Sequence, residues 1–172
     1  FESGAILLYL ADKIGRFIPA DMRGRNMALQ WLFWQMGGLG PMAGQNHHFV
    51  QYTPEKIPYA MDRYVKETAR LYAVLDKHLS DGREFIAGSE YSIADIANFA
   101  WVTTHSWSGV EIHDFPHLLR WLEQHPHQPV ASICTGAFLL AGAGAIAVAW
   151  VTVAGHAAKA GGSNPIHALR YE

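Results

Sequence analysis

Three residues carry the side chains best suited to bind a small charged molecule. Ser3 stands where a helix is expected to begin, so its hydroxyl lies beside free backbone N–H groups that suit a carboxylate. Glu2 can pair with an ammonium group, and Arg63 supplies a permanent planar donor fork for a carboxylate or a thiolate. Each also has a simpler interpretation: Ser3 as a helix cap, Glu2 as a surface charge, Arg63 as an ion-pair partner of Glu67 or Asp62. From the residues alone, the simpler interpretations are preferred.

Cys134 is the one cysteine in the chain and lies in the apolar segment VASICTGAFLLAGAG. A strand that delivers a cysteine to a tight turn at a helix start would favour its thiolate, and Gly136 suits that geometry. A nucleophile also needs a positioned base, and nothing in the sequence places His156 near Cys134. The preferred interpretation is an unreactive thiol, with Cys134 kept as a candidate nucleophile. A single cysteine excludes an internal disulfide framework and favours a reducing compartment, so we predict a cytoplasmic protein.

The histidines do not form a recognisable metal site. His47 and His48 are adjacent, whereas Pro116 separates His113 from His117 and breaks the regular helical spacing between them. No cysteine lies near either pair to complete a tetrahedral set of ligands. The sequence therefore predicts no bound metal.

The composition is that of a globular protein and excludes several functions. Half of the 172 residues are hydrophobic and the formal net charge is −2. No basic stripe with interleaved aromatic residues is present, which argues against a nucleic-acid partner. The segment from Val130 to Ala158 contains no Asp, Glu, Lys or Arg and is long enough to span a bilayer, but Gly, Ser and Thr residues dilute it. The sequence therefore argues against a membrane anchor.

Apolar residues recur at three- and four-residue steps in several segments, which predict amphipathic helices. The predicted helices cover about 3–15, 23–35 and 57–79, a segment that opens with a capping box of Ser92 and Asp95, and a short segment that begins near Pro116. In the first helix, the apolar residues that recur are Ile6, Leu7, Leu10 and Ile14. No strand pattern occurs before residue 125, so the fold class is all-α, a helical bundle that ends at about Gln124.

One segment is ambiguous. Gly37 and Gly38 should break the second helix, and GGLGPMAGQNHHF, which follows it, is rich in Gly and Pro. It is either a kinked helix or a loop. The connector RFIPAD, after the first helix, should be extended because Ile18 precedes Pro19.

Four segments of the sequence occur in the order that a known family has them. They are FESGAILLYLADKIGRFIPAD, LQWLFWQMGGLGPMAGQNHHF, PEKIPYAMDRYVKET and YSIADIA. Over about residues 1–124 the chain closely resembles bacterial glutathione transferases of the Nu class, the Ure2-like group that includes glutathione-dependent disulfide-bond oxidoreductases. The resemblance implies a thioredoxin-like domain followed by an all-α domain, in a cytoplasmic homodimer that uses glutathione as a cosubstrate.

The resemblance also assigns domains and site residues. Residues 1–17 would be the last helix of the thioredoxin-like domain, residues 18–124 the carboxy-terminal all-α domain, and residues 125–172 an unassigned tail rich in Ala and Gly. Glu2 and Ser3 would hold the γ-glutamyl end of glutathione, and Arg63 would reach the tripeptide from the all-α domain. The residues that activate the sulfur would lie before Phe1, so we expect the chain by itself to be inactive.

The tail does not continue this resemblance. Residues 130–144 resemble instead the nucleophile elbow of a DJ-1/PfpI-type domain, although the sequence departs from that family within a few residues. A truncation, a fusion or a shifted reading frame is the preferred explanation for two resemblances that meet between residues 125 and 129.

Three functions follow from these observations. The first is a fragment of a glutathione-dependent enzyme for disulfide reduction or thiol transfer, and the second is a non-enzymatic helical dimerisation or binding module. The third is a fusion with a regulator fragment, which would require a low pKa at Cys134.

Overall fold

The computed structural model describes residues 1–125, and this part of the chain is helical. Its six α-helices are α1 (Ser3–Ile14), α2 (Met22–Trp34), α3 (Gly40–His47), α4 (Pro58–Leu79), α5 (Ile93–Val102) and α6 (Pro116–Gln124). Two π-helical turns, Gln35–Leu39 and His48–Tyr52, and two short 3-10 turns, His105–Trp107 and Ile112–Asp114, lie between them. Between residues 1 and 125 no strand forms, and the predicted all-α class is confirmed.

The segment from Met22 to Tyr52 is helical throughout. The prediction that Gly37 and Gly38 break the helix is wrong. Both lie in a π-helical turn in which the N–H of Gly40 donates to the carbonyl of Gln35, five residues earlier. A second such turn closes with a 2.9 Å hydrogen bond from the N–H of Thr53 to the carbonyl of His48. The ambiguous segment is therefore a helix whose turns widen twice, and the loop alternative is wrong.

The main core lies between α4, α5 and α6. On α4, Leu71, Tyr72, Leu75 and Leu79 are buried at the three- and four-residue spacing that predicted this helix. They pack with a second group of buried residues, Phe99, Val102, Leu118 and Trp121. Each fully buried leucine contributes about 1.5–3 kcal/mol through removal of apolar surface from water, so this seam supplies much of the stability of the bundle.

The apolar residues that recur in α1 do not all lie on its buried side. Leu10 and Ile14 are 47% and 53% exposed, while Gly4 and Ala11 are buried and Leu7 packs against a second cluster formed by α2 and α5. Small residues seven positions apart on one side of α1 allow close approach to its neighbours. Tyr9, Leu10 and Ile14 are therefore left on the exposed side.

Two carboxylates fix the ends of α5 and α6. Asp95 Oδ2 accepts hydrogen bonds from the backbone N–H and the hydroxyl of Ser92, which confirms the predicted capping box, and Asp95 Oδ1 accepts from the N–H of Ile86 at 2.8 Å. Burial raises the pKa of Asp95, and these hydrogen bonds oppose that effect. At the start of α6, Asp76 Oδ1 accepts from the N–H groups of His117 and Leu118 at 2.7 and 2.9 Å. A residue of α4 thus caps α6.

The connector between α1 and α2 joins the bundle through its backbone. It is not helical, as predicted, and the carbonyl of Phe17 accepts a 2.8 Å hydrogen bond from the N–H of Ile93 at the start of α5. Phe17 has a positive φ of 66°, a conformation that residues with a Cβ rarely adopt.

None of the helices within residues 1–125 combines the length and the hydrophobicity that a bilayer crossing requires. The predicted elbow at 130–144, the apolar segment at 130–158 and the assignment of the tail beyond residue 125 concern residues outside the described part of the chain.

Candidate functional site

Ser3 is the first residue of α1 and does not cap it. The residue before the helix is Glu2, whose carbonyl accepts a 2.9 Å hydrogen bond from the N–H of Ile6, and neither side chain caps the helix. The Ser3 hydroxyl instead donates to the thioether sulfur of Met36 at 3.4 Å. The interpretation of Ser3 as a cap is therefore wrong, because the hydroxyl points across to the α2–α3 segment. The first-turn N–H groups keep their capacity to bind an anion.

Glu2 adopts a strained conformation at the start of α1. Its φ of 68° and ψ of 113° are rare for a residue with a Cβ, and such a conformation costs on the order of 1–3 kcal/mol. Its side chain is exposed. Strain of this kind clusters at ligand-binding positions, and here it falls on the residue next to Ser3.

Arg63 lies on the exposed side of α4, and neither of its predicted ion-pair partners binds it. Asp62 pairs with Lys66 at 2.8 Å, and Glu67 pairs with Arg70 at 2.8 Å. The Glu67 pKa is lowered first by the hydrogen bond from Arg70, and the charge of Arg63 is the smallest of the causes. Among residues 1–125 Arg63 forms no ion pair, so its guanidinium can accept an anion from outside this part of the chain.

Glu2 and Ser3 lie together at the start of α1, and no hydrogen bond or ion pair within residues 1–125 joins either of them to Arg63. Helix α1 packs on α2 and α5 in one hydrophobic cluster, whereas α4 belongs to the other cluster.

An ion pair fixes α1 against α2. Arg25 donates to both carboxylate oxygens of Asp12, at 2.7 and 2.9 Å. This two-point contact sets the angle between the helices more firmly than a single hydrogen bond would. It joins the last turn of α1 to the first turn of α2, at the end of α1 away from Glu2 and Ser3.

Residues 44–129 match the family described as glutathione S-transferase, C-terminal domain. The chain belongs to this family. Its helices α4, α5 and α6 lie entirely within the matched range.

Curated relatives match a larger share of the chain than the family does. The disulfide-bond oxidoreductase YfcG of Escherichia coli is 50% identical over 129 residues, which are 75% of this chain and 60% of that protein. The disulfide-bond oxidoreductase YghU of the same organism is 40% identical over 136 residues, 75% of this chain and 47% of that protein. The chain thus spans about half to three fifths of the length of these relatives.

A solved structure agrees with the described fold. A glutathione transferase family member from Pseudomonas fluorescens, crystallised with two glutathione bound, superimposes with a TM-score of 0.70 and 43% sequence identity. The match covers 76% of this chain and 60% of that one. A likeness at this identity supports the same helical arrangement.

In this member of the glutathione S-transferase family, His47 is a buried aromatic contact. It is 5% exposed, its ring stacks on Trp101 at 6.1 Å between centroids, and Trp107 meets it edge-on at 5.8 Å. Burial is the main cause that lowers the pKa of His47, so the ring is neutral at pH 7. Its Nε2 atom has no hydrogen-bond partner within the described chain.

The other histidines considered as metal ligands lie apart. His113 Nδ1 hydrogen-bonds to Glu111 at 2.6 Å, and the backbone of His117 binds Asp76. Within residues 1–125 no group of three or more His, Cys, Asp or Glu side chains is arranged to hold a metal ion. Cys134, the candidate nucleophile, lies outside the described residues.

Met36 is the residue near Ser3 that the sequence did not single out. It lies in a Gly-rich segment without an apolar period, so no pattern marks it. Its contact with Ser3 spans 33 positions and becomes visible only in the folded chain.

Proposed function

We propose that this chain is the carboxy-terminal part of a Nu-class glutathione transferase that acts in glutathione-dependent disulfide reduction or thiol transfer. Two relatives named disulfide-bond oxidoreductases support the proposal, and so does the family member solved with two glutathione bound. In the complete protein a thioredoxin-like domain would precede Phe1 and supply the groups that activate the sulfur. The complete protein would work as a homodimer.

The proposal rests on the start of α1, where Glu2 is exposed, Ser3 is half-buried and no side chain caps the helix. Ser3 and the first-turn N–H groups would bind the carboxylate of the γ-glutamyl end, since both the hydroxyl and the helix N-terminus favour an anion. The exposed Glu2 carboxylate would bind the γ-glutamyl ammonium. Together these groups would bind both the carboxylate and the ammonium of the γ-glutamyl group. A simple thiol lacks this pair of charges, so the site would distinguish glutathione from it.

Arg63 would bind the anionic remainder of the tripeptide. Its charge is not neutralised by an ion pair within residues 1–125, and it lies on a helix whose other side is anchored in the main core. A planar guanidinium can donate two parallel hydrogen bonds to a carboxylate. Fixed at both ends, the tripeptide would present its sulfur in one orientation.

The chemistry is thiol–disulfide exchange. A glutathione thiolate attacks one sulfur of a disulfide, a new S–S bond forms, and the other sulfur leaves as a thiolate. A second glutathione thiolate attacks the mixed disulfide at the glutathione sulfur, which yields glutathione disulfide and the second thiolate of the substrate. The residues of this chain bind and orient the thiol, and take no proton in either step.

The test restores the missing part. The segment of YfcG that precedes its matched region is joined in frame ahead of Phe1, and the reduction of 2-hydroxyethyl disulfide by glutathione is measured. We expect turnover in this fusion protein and none in the 172-residue chain. A folded, dimeric fusion protein without activity would contradict the proposed function.

The role of Arg63 is tested in the same fusion protein. We expect Arg63→Ala to raise the KM for glutathione by about tenfold or more, because hydrogen bonds to charged groups contribute about 1.5–3 kcal/mol. Lys66→Ala is the matched control, since it removes one positive charge from the next turn of α4, where Lys66 is exposed and paired with Asp62. Equal effects of the two substitutions on the KM would show that Arg63 acts only through its positive charge and not through direct hydrogen bonds to glutathione.

A further inference from the structure

Met36 is placed to control the orientation of the Ser3 hydroxyl. We propose that Met36 is a positioning residue for γ-glutamyl recognition, an inference that rests on the proposed function. Its thioether sulfur accepts a hydrogen bond from the Ser3 hydroxyl at 3.4 Å. Among residues 1–125, the hydroxyl forms no other hydrogen bond. The contact selects one rotamer of Ser3 before any ligand arrives.

Gly4 gives Met36 the space to reach under the first turn of α1. A Cβ at Gly4 would lie 3.1 Å from the Cγ atom and 3.3 Å from the sulfur of Met36, closer than ordinary van der Waals contact. Gly4 is buried by this contact. The thioether therefore fills the space that a side chain at position 4 would take. It packs against the backbone of Gly4 and accepts the hydrogen bond from the Ser3 hydroxyl.

A thioether suits this role because it is a weak acceptor. It is strong enough to orient a hydroxyl in the empty site, but a carboxylate forms a charge-assisted hydrogen bond about twice as strong as a neutral one. When a γ-glutamyl carboxylate binds, the hydroxyl proton turns from sulfur to the carboxylate at little cost. A carbonyl or amide acceptor at the same position would compete with the ligand.

The π-helical turn holds Met36 in place. Met36 is the second residue of Gln35–Leu39, and the turn is closed by the hydrogen bond from the N–H of Gly40 to the carbonyl of Gln35. Short π-helical turns within α-helices occur frequently at functional sites. Gly37 and Gly38 follow Met36 directly, and their lack of side chains makes a departure from α-helical geometry inexpensive.

The test uses the fusion protein of the proposed function and compares Met36→Leu with Met27→Leu. Leucine keeps the apolar volume and removes the acceptor, and Met27 is a half-buried methionine of α2 that packs on the main core. For Met36→Leu we expect the KM for glutathione to fall about threefold and kcat to stay unchanged, because the free site no longer gives up a neutral hydrogen bond of about 1 kcal/mol or less when the carboxylate binds. Met27→Leu should change neither constant.

Two further measurements separate positioning from packing. With cysteinylglycine as the thiol, which lacks the γ-glutamyl group, Met36→Leu should leave the KM unchanged. In a Ser3→Ala background, Met36→Leu should have no additional effect, because its action passes through the Ser3 hydroxyl. A rise in the KM for glutathione, an equal change for both thiols, or the same threefold fall without the Ser3 hydroxyl would overturn the inference. A fusion protein that lacks glutathione-dependent turnover altogether would overturn the proposed function and this inference with it.

Discussion

At the scale of single residues, the structure decides between the alternative interpretations that the sequence left for Ser3 and Arg63. Ser3 was open to two interpretations, and the geometry excludes the cap because Glu2 holds that position and the hydroxyl contacts Met36. Arg63 was open to an ion pair with Glu67 or Asp62, and both carboxylates bind other cations. The residues nominated for binding are therefore those whose polar groups have no strong partner within residues 1–125.

His47 should make the stability of the bundle depend on pH. The pKa of His47 is lowered in the folded state from an ordinary value of 6.5. At a pH between the folded-state pKa and the unfolded-state pKa, the unfolded chain therefore binds a proton that the folded chain does not. Stability is then complete above about pH 6.5 and falls as the pH decreases through that window. We expect His47→Gln to flatten the slope of unfolding free energy between pH 7.5 and 5.5, measured by urea denaturation.

The control for this prediction is the neighbouring residue. His48 is exposed, so His48→Gln makes the same substitution at the adjacent position, outside the buried aromatic contact. Burial also lowers the pKa values of His78 and His105, so a smaller slope remains in His47→Gln. A slope that is identical in wild type and His47→Gln would contradict the assignment.

At the scale of elements, the segment from Met22 to Tyr52 shows how tertiary contacts override local preference. Its glycines and proline argue against a regular helix, yet the helix persists because its interior side packs tightly. At Gly40 a Cβ would lie 2.6 Å from Gln35 Nε2 and 3.1 Å from Trp101 Nε1, so the absence of a side chain there admits both neighbours. Gly40 thus allows close packing of its neighbours, and Gly37 and Gly38 lie in the first π-helical turn.

The start of α6 offers a test of a cap supplied by another helix. Asp76→Ala removes the acceptor for the N–H groups of His117 and Leu118, and we expect a loss of about 1–2 kcal/mol, the range for a lost N-cap. Hydrogen exchange should accelerate at these two amides. Asp62→Ala, on the exposed side of the same helix, should change stability by less than about 0.5 kcal/mol. Unchanged exchange at His117 and Leu118 in Asp76→Ala would show that the cap does not hold α6.

At the scale of the whole molecule, the described bundle presents one side of α1 without a covering element. Tyr9, Leu10 and Ile14 are among the exposed large hydrophobic residues, while the opposite side of α1 is packed on the bundle. Under the proposed function the preceding domain would cover this side. The binding groups would then be completed by a surface that the bundle does not contain.

We therefore expect the 172-residue chain to bind glutathione too weakly to be detected. The first turn of α1 and Arg63 hold only the ends of the tripeptide in the proposed arrangement, and nothing in residues 1–125 encloses its sulfur. The measurement is retention on immobilised glutathione at millimolar concentrations, with Arg63→Ala as the comparison. Retention of the wild-type chain that is lost in Arg63→Ala would prove the expectation wrong.

The sequence by itself determined the fold class and most helices. The period of three and four in α4, the capping box of Ser92 and Asp95, and Pro116 at the start of α6 depend on nearby residues, so they are legible without a structure. The family resemblance, carried by several long segments, likewise needed only the order of residues, and it was confirmed for the glutathione S-transferase carboxy-terminal domain.

Only the tertiary structure decided which apolar side of α1 is buried, how the glycine-rich segment folds, and what Ser3 contacts. The hydrophobic period of a sequence identifies an apolar side of a helix. It cannot show whether that side or a side of small residues is buried, because burial depends on the shape of the partner helices. The contacts of Ser3 with Met36 and of Asp76 with α6 join residues 33 to 42 positions apart. Such contacts depend on helix packing, which local spacing does not encode.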